Sequence, residues 1–311
     1  MKFHRLSSGV PGLVSIPFLL PPSIPGPIPT DPGPAQSPPG ATAGAESVPR
    51  LENPAAQLAH ASVCRSAMRG KAGEALETAR RRAIEAYRAV REHFPADARA
   101  CAEASFRAGE LLRAASDATG AIAEFQLARE RGAETPFRVR AMLEIGHIHR
   151  RARKPAEALT AYESALADPA ATPSQRDDAS YWIGQVHLAQ GGIEDARRAW
   201  KRVAEQGEDP LDRIRAWDCI ALTFVAAGDL EGAAGVVERC REALAEVSAE
   251  ETKLGERVRD ALSTMRVLDD LQRAVQEREA SKRKKEADST EGPRDAGEKK
   301  KEAGSSFEPR P

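Results

Sequence analysis

Aromatic residues are scarce in this 311-residue chain: eight Phe, three Tyr and three Trp make up 5% of it. A β-sheet core draws on Val, Ile and aromatic side chains, so the scarcity argues against a sheet protein. Cysteine is scarcer still. Cys64, Cys101, Cys219 and Cys240 stand far apart without a Cys-x-x-Cys pair, which signals neither a disulfide framework nor a zinc site. They read as small helix residues, and spacing alone does not decide whether Cys219 and Cys240 pair. No stretch reaches the ~20 apolar residues needed to cross a bilayer. An excess of charge is missing too: 46 Lys and Arg against 47 Asp and Glu leave a net charge of −1, which argues against broad attraction to nucleic acid or acidic lipid. What abounds is alanine, 57 residues and nearly half of the 41% counted as hydrophobic. An interior built on Ala must bring backbones close together, as helices with small contact residues do. The expected fold class is all-α.

Composition divides the chain into zones. Residues 1–54 form a Pro-rich segment, with 12 of the 22 prolines before residue 51, in which neither helix nor central strand can persist; it is expected to be a disordered, extended tail. Its start, Lys2, His4 and Arg5 followed by Leu13 to Leu20, has the basic head and short apolar run of a secretory signal. Pro11 and Pro17 interrupt that run, and the nearest Ala-x-Ala site, Ala41-Thr42-Ala43, lies far beyond it. A degenerate signal, a membrane tether and a misassigned start all stay open. Residues 55–281 carry helical periodicity. Residues 282–311 hold nine basic and seven acidic residues with Phe307 as the one aromatic, too little apolar surface to offset the entropy of ordering, so a disordered charged tail is expected.

The middle zone repeats. Ala83, Ala121, Ala158 and Ala196 are each followed four residues later by an aromatic, Tyr87, Phe125, Tyr162 and Trp200, and Ala233 continues the series with Val237. The intervals between these alanines are 38, 37, 38 and 37 residues. In a chain with so few aromatics, this phase is not a by-product of composition. Gly109, Gly146, Gly184 and Ala221 each stand twelve residues before their Ala, and breakers lie between: Asp117 to Gly120, Arg153-Lys154-Pro155, Gly191-Gly192 and Gly228-Asp229. Each unit is therefore helix, turn, helix, with links ending in Pro95, Pro136, Pro173 and Pro210.

This spacing resembles the tetratricopeptide repeat family. The correspondence runs through Ile145-Gly146, His149, Ala158, Tyr162 and Ala165, through Ile183-Gly184, His187, Ala196, Trp200 and Val203, and through Trp217, Ile220, Ala221, Phe224, Ala233 and Cys240. The period exceeds the family's usual length, as in the looser repeats of bacterial envelope assembly and scaffolding proteins. The resemblance implies a right-handed α-solenoid. Its expected divisions are N-terminal capping helices at 55–97, four repeats at 98–136, 137–173, 174–210 and 211–247, and a C-terminal capping helix at 248–281. That helix is opened by the capping-box pattern Ser248-Ala-Glu-Glu251 and carries a Leu254, Val258, Leu262, Met265, Leu268, Val275 stripe. The unbroken run from Ala72 to Phe94 predicts a first unit without a first helix of its own.

The resemblance also implies a concave groove lined by the first helices, with inward positions at Phe106, Glu110, Arg113, Leu143, His147, Arg150, Tyr181, Gln185, Leu188, Asp218 and Leu222. Phe106, Leu143, Tyr181 and Leu222 are expected to form an apolar strip, binding and packing standing about equal for Phe106 and Tyr181. Family members that clamp a chaperone's terminal carboxylate use Lys and Asn at such places, which this chain lacks. No catalytic, cofactor or metal constellation emerges: His147 and His149 lie about 200° apart around a helix, Gly191-Gly192 serves a turn, and Asp177-Asp178 and Asp269-Asp270 are adjacent and point to different faces. The expected function is a non-enzymatic scaffold for an unidentified protein or peptide, without nucleic acid or small-molecule substrate. Homo-oligomeric self-assembly and an accessory role in an enzyme or envelope complex are the alternatives. The expected location stays open between the cytoplasm and, if the apolar head is a working signal, the bacterial envelope or periplasm.

Overall fold

A computed structural model describes residues 48–290, and there it consists of helices without strands. The proposed signal, the Pro-rich segment up to residue 47 and the charged tail from residue 291 lie outside the described residues. The helices are α1 (Pro54–Ser66), α2 (Gly73–His93), α3 (Ala98–Ala114), α4 (Ala118–Arg131), α5 (Pro136–Arg151), α6 (Pro155–Ala167), α7 (Pro173–Ala189), α8 (Ile193–Gln206), α9 (Pro210–Ala226), α10 (Leu230–Ala243), α11 (Ala245–Ala249), α12 (Lys253–Ser263) and α13 (Arg266–Thr290). Consecutive helices pack as hairpins and stack into an α-solenoid.

Local chemistry sets the boundaries. Pro136, Pro155, Pro173 and Pro210 each open a helix, where a missing N–H costs nothing. Asp97, Asp117, Asp209 and Asp229 cap α3, α4, α9 and α10 with their side chains, and Thr172 with Gln175 forms a full capping box on α7. Within each unit the turn is made by one left-handed residue, always seven positions past the small residue: Ser116, Arg153, Gly191 and Gly228.

Packing explains the Ala and Gly phases. Ala83, Ala121, Ala158, Ala196 and Ala233 are all completely buried. A β-carbon added to Gly109 would come within 2.8 Å of the Phe125 ring, one on Gly146 within 2.5 Å of Tyr162, and one on Gly184 would fall against the indole of Trp200. Because Gly184 leaves that space open, the Trp200 indole N–H reaches the Tyr181 carbonyl at 3.0 Å. Ion pairs on buried carboxylates tie neighbouring elements: Glu124 of α4 accepts from Arg88 and Arg91 of α2, Asp168 takes Arg138 at 2.6 Å, and Asp177 takes Arg202 at 3.1 Å.

Three expectations are corrected. The first unit does have a first helix, α1, paired with α2 and joined to it by the long link Ala67–Ala72; α2 runs 21 residues against 14 for α4, so the turn sits earlier than the period implies. The single capping helix is broken into α11, α12 and α13. Its start is capped not at Ser248 but by Thr252, which accepts from the Gly255 N–H. Finally α13 continues to Thr290, past the expected boundary at residue 282.

The segment before α1 is tied down. The buried Gln57 side chain accepts from the Leu51 N–H at 2.9 Å and donates to the Pro49 carbonyl at 3.2 Å. His93 Nε2 lies 2.9 Å from the Val48 carbonyl, and Arg50 covers Phe94 at 5.1 Å.

Candidate protein-binding groove

The first helices α1, α3, α5 and α7 approach one another more closely than the second helices do, so the stack curves with first helices inside. Residues six, two and three before the small residue, and one and four after it, fall on or beside this inner face.

The sequence-predicted groove residues divide into two groups. Glu110, Arg113, His147, Arg150, Tyr181, Gln185, Leu188 and Leu222 are half-buried and keep an open side. Three others are not available. Phe106 is 1% exposed and packs against Phe125 and Phe137 at centroid distances of 5.4 and 5.5 Å. Leu143 is 6% exposed within the cluster of Tyr162, Ile183 and Val186. Asp218, also 6% exposed, lies under α13, accepting from Arg266 Nε at 2.9 Å and from the Val267 N–H at 3.0 Å. The apolar strip thus shrinks to Tyr181 and Leu222, with Leu188 packed on the same cluster. Neighbouring units bury the other two, because the link ending in Pro136 places Phe137 over Phe106 and α7 closes over Leu143.

Side chains overlooked in the sequence fill the gap. Trp182 of α7 is half-buried, edge-on to His147 at 5.2 Å and to Tyr181 at 5.3 Å. Arg150 covers it at 4.2 Å, and its indole N–H donates to Asp178 at 2.8 Å. Arg215 lies over Tyr181 at 3.7 Å, and Arg140 over Phe106 at 4.4 Å. The available signal was positional: Arg140 and Arg215 both stand six residues before their small residue, Gly146 and Ala221.

Electrostatics follow from burial. His147 is held neutral, its pKa lowered to about 4 by burial and then by Arg150, Arg151 and Arg113, and it shares a 2.7 Å hydrogen bond with the Tyr162 hydroxyl. Burial raises the Glu144 carboxyl, which Arg113 at 3.4 Å partly offsets. Tyr181, pushed up to about 12 mainly by burial, meets the Cys219 thiol at 3.8 Å, and Gln185 donates to that sulfur at 3.5 Å. Burial pushes the Cys219 thiol up as well, the reverse of what a nucleophilic thiolate needs. Among the described residues no group of three His, Cys, Asp or Glu side chains could hold a metal ion, and the four cysteines are free.

The tetratricopeptide repeat family model matches residues 72–138 and 143–213. Over these two stretches the chain carries tetratricopeptide repeats. The array is similar to the crystal structure of MamA (18% identity over 64% of this chain and 96% of that one, TM-score 0.47). It is also similar to BtubC from P. vanneervenii (16% identity, 64% of this chain and 84% of that one, TM-score 0.48). A third likeness is PilW, a type IV pilus biogenesis factor (19% identity, 71% and 92%, TM-score 0.42). No curated protein sequence matches the chain.

Proposed function

We propose that this tetratricopeptide array is a non-enzymatic scaffold that binds a protein or peptide along its inner face. The observation that carries the reading is the cluster on α7 and its neighbours, where Tyr181, Trp182, Leu188 and Leu222 keep an open side beside Arg150 and Arg215. Aromatic and Arg side chains dominate interface energetics, and a concave row of helices offers them to an extended or helical segment. Burying polar atoms around them has already been compensated within the array, as the Trp182–Asp178 and Gln185–Tyr181 hydrogen bonds illustrate. The test is affinity purification from the native cell with the full chain and with Tyr181→Ala plus Leu222→Ala. Partner capture should disappear while the helical circular dichroism stays unchanged; undiminished capture by a folded variant would overturn the groove.

A further inference from the structure

Along the inner face most arginines near a carboxylate are engaged by it. Arg65 and Arg107 both reach Glu110, at 3.1 and 3.0 Å, Arg113 faces Glu144 at 3.4 Å, and Arg266 holds Asp218 at 2.9 Å. Arg140, Arg150 and Arg215 differ: among the described residues none forms an ion pair, and each instead lies over an aromatic ring, at 4.4, 4.2 and 3.7 Å. Asp178 and Asp212 feel the charge of Arg215 yet stay beyond ion-pair distance of it. A guanidinium seated on a ring is fixed in orientation by the π face, and the N–H groups at its rim can grip a carboxylate in bidentate fashion, at Arg150 through the terminal nitrogens because its Nε is buried. The cationic character of the neighbourhood is seen on His147, which burial and three arginines keep unprotonated.

Spacing adds a ruler. Arg140 and Arg215 hold the same place in units two apart, so with first helices ~10 Å from one another they stand about 20 Å apart. An extended chain covers that span in roughly six residues at ~3.3 Å each. Neither end of this chain supplies such a segment. Residues 1–47 contain only Asp31 and Glu46 as acidic groups, and residues 291–311 balance five acidic with five basic residues. A polyanion with a phosphate at every step would also meet Glu103, Glu110, Glu144 and Asp178 on the same face, whereas a peptide can set neutral residues against them.

We infer that the groove takes an extended Asp- and Glu-rich segment of another protein, with carboxylates about six residues apart seated on the ring-stacked Arg140 and Arg215 and a flanking one on Arg150. This rests on the binding role of the inner face, and the test separates the two. The full-length protein is panned against a phage-displayed random library of about twelve residues, long enough to span two units. The selected peptides are synthesised and titrated by fluorescence anisotropy against wild type, against Arg140→Gln with Arg150→Gln and Arg215→Gln, and against Tyr181→Ala with Leu222→Ala. Expected are sequences enriched in Asp and Glu at that spacing, with binding about tenfold weaker or more for the triple Gln variant, which corresponds to the loss of one or more charge-assisted contacts, and unchanged circular dichroism. Selected sequences that are neutral or basic, lost on the Tyr181→Ala, Leu222→Ala variant but not on the Gln variant, overturn the acidic specificity and leave the groove standing. Failure to select any sequence overturns both. A thymidine 20-mer or a phosphatidylserine vesicle that binds more tightly than the best acidic peptide also overturns the assignment.

Discussion

Gly184 and Trp200 divide one volume between them, and the other units show the same division with different shares. Phe125 faces Gly109, Tyr162 faces Gly146, and in the last unit, where Ala221 replaces the glycine, the aromatic has given way to Val237. The pair is therefore coupled: Gly184→Ala should cost ~1–3 kcal/mol through overpacking, despite the roughly 1 kcal/mol that Ala gains in helix propensity. Adding Trp200→Val should cost less than the two single changes summed, by ~1–3 kcal/mol. Urea unfolding of the four proteins measures the cycle, and additive losses would refute the shared volume. The left-handed turn residues give a cleaner case. Gly228 has no atom within 4 Å of where a β-carbon would stand, so Gly228→Ala is purely conformational and should cost about 1–2 kcal/mol. His147 supplies a pH test. Its folded pKa lies near 4, below the unfolded value, so the stability it contributes is present above about pH 6.5 and is lost as the pH falls toward 4. His147→Gln should flatten that part of the pH dependence of the urea midpoint, with little change at pH 7.5.

At the scale of elements, α12 and α13 stand where a further unit would have placed its first helix, against α9 and α10. The clasp is Asp218, which binds the Arg266 side chain and the Val267 N–H at the start of α13. Asp218→Ala leaves that buried N–H without an acceptor and should cost ~1–3 kcal/mol; hydrogen exchange should rise in α13 and stay unchanged in α3 to α7. The regular hairpins were legible from the phase of Ala, Gly and aromatic residues because each unit solves the same packing problem with the same residues. The ends were not, because they answer to a single neighbour and repeat nothing. No phase announces that α1 pairs with an overlong α2, and the apolar stripe from Leu254 to Val275 does not reveal the breaks on either side of α12, where Gly255 comes close to the Glu250 carbonyl and Thr264 ends the helix.

Across the whole molecule, stability should be divided among neighbouring pairs rather than shared evenly, since each unit touches mainly the next. The groove was half legible for a related reason. Family position places a residue on the inner face, but whether it stays open depends on the following unit: Phe137 claims Phe106 and α13 claims Asp218, whereas Trp182 stays half-open beneath Arg150. The arginines that sit on aromatic rings were missed because stacking partners come from other units and leave no trace in local sequence. The anchoring of residues 48–51 carries a mechanical consequence. Gln57, His93 and Phe94 grip that segment from both helices of the first pair, so tension applied through anything attached ahead of Val48 enters the array across α1 and α2 together, as shear over a seam rather than as the peeling of one terminal helix. The end of a stacked array is ordinarily its weakest point under load; here it is the point that is stitched.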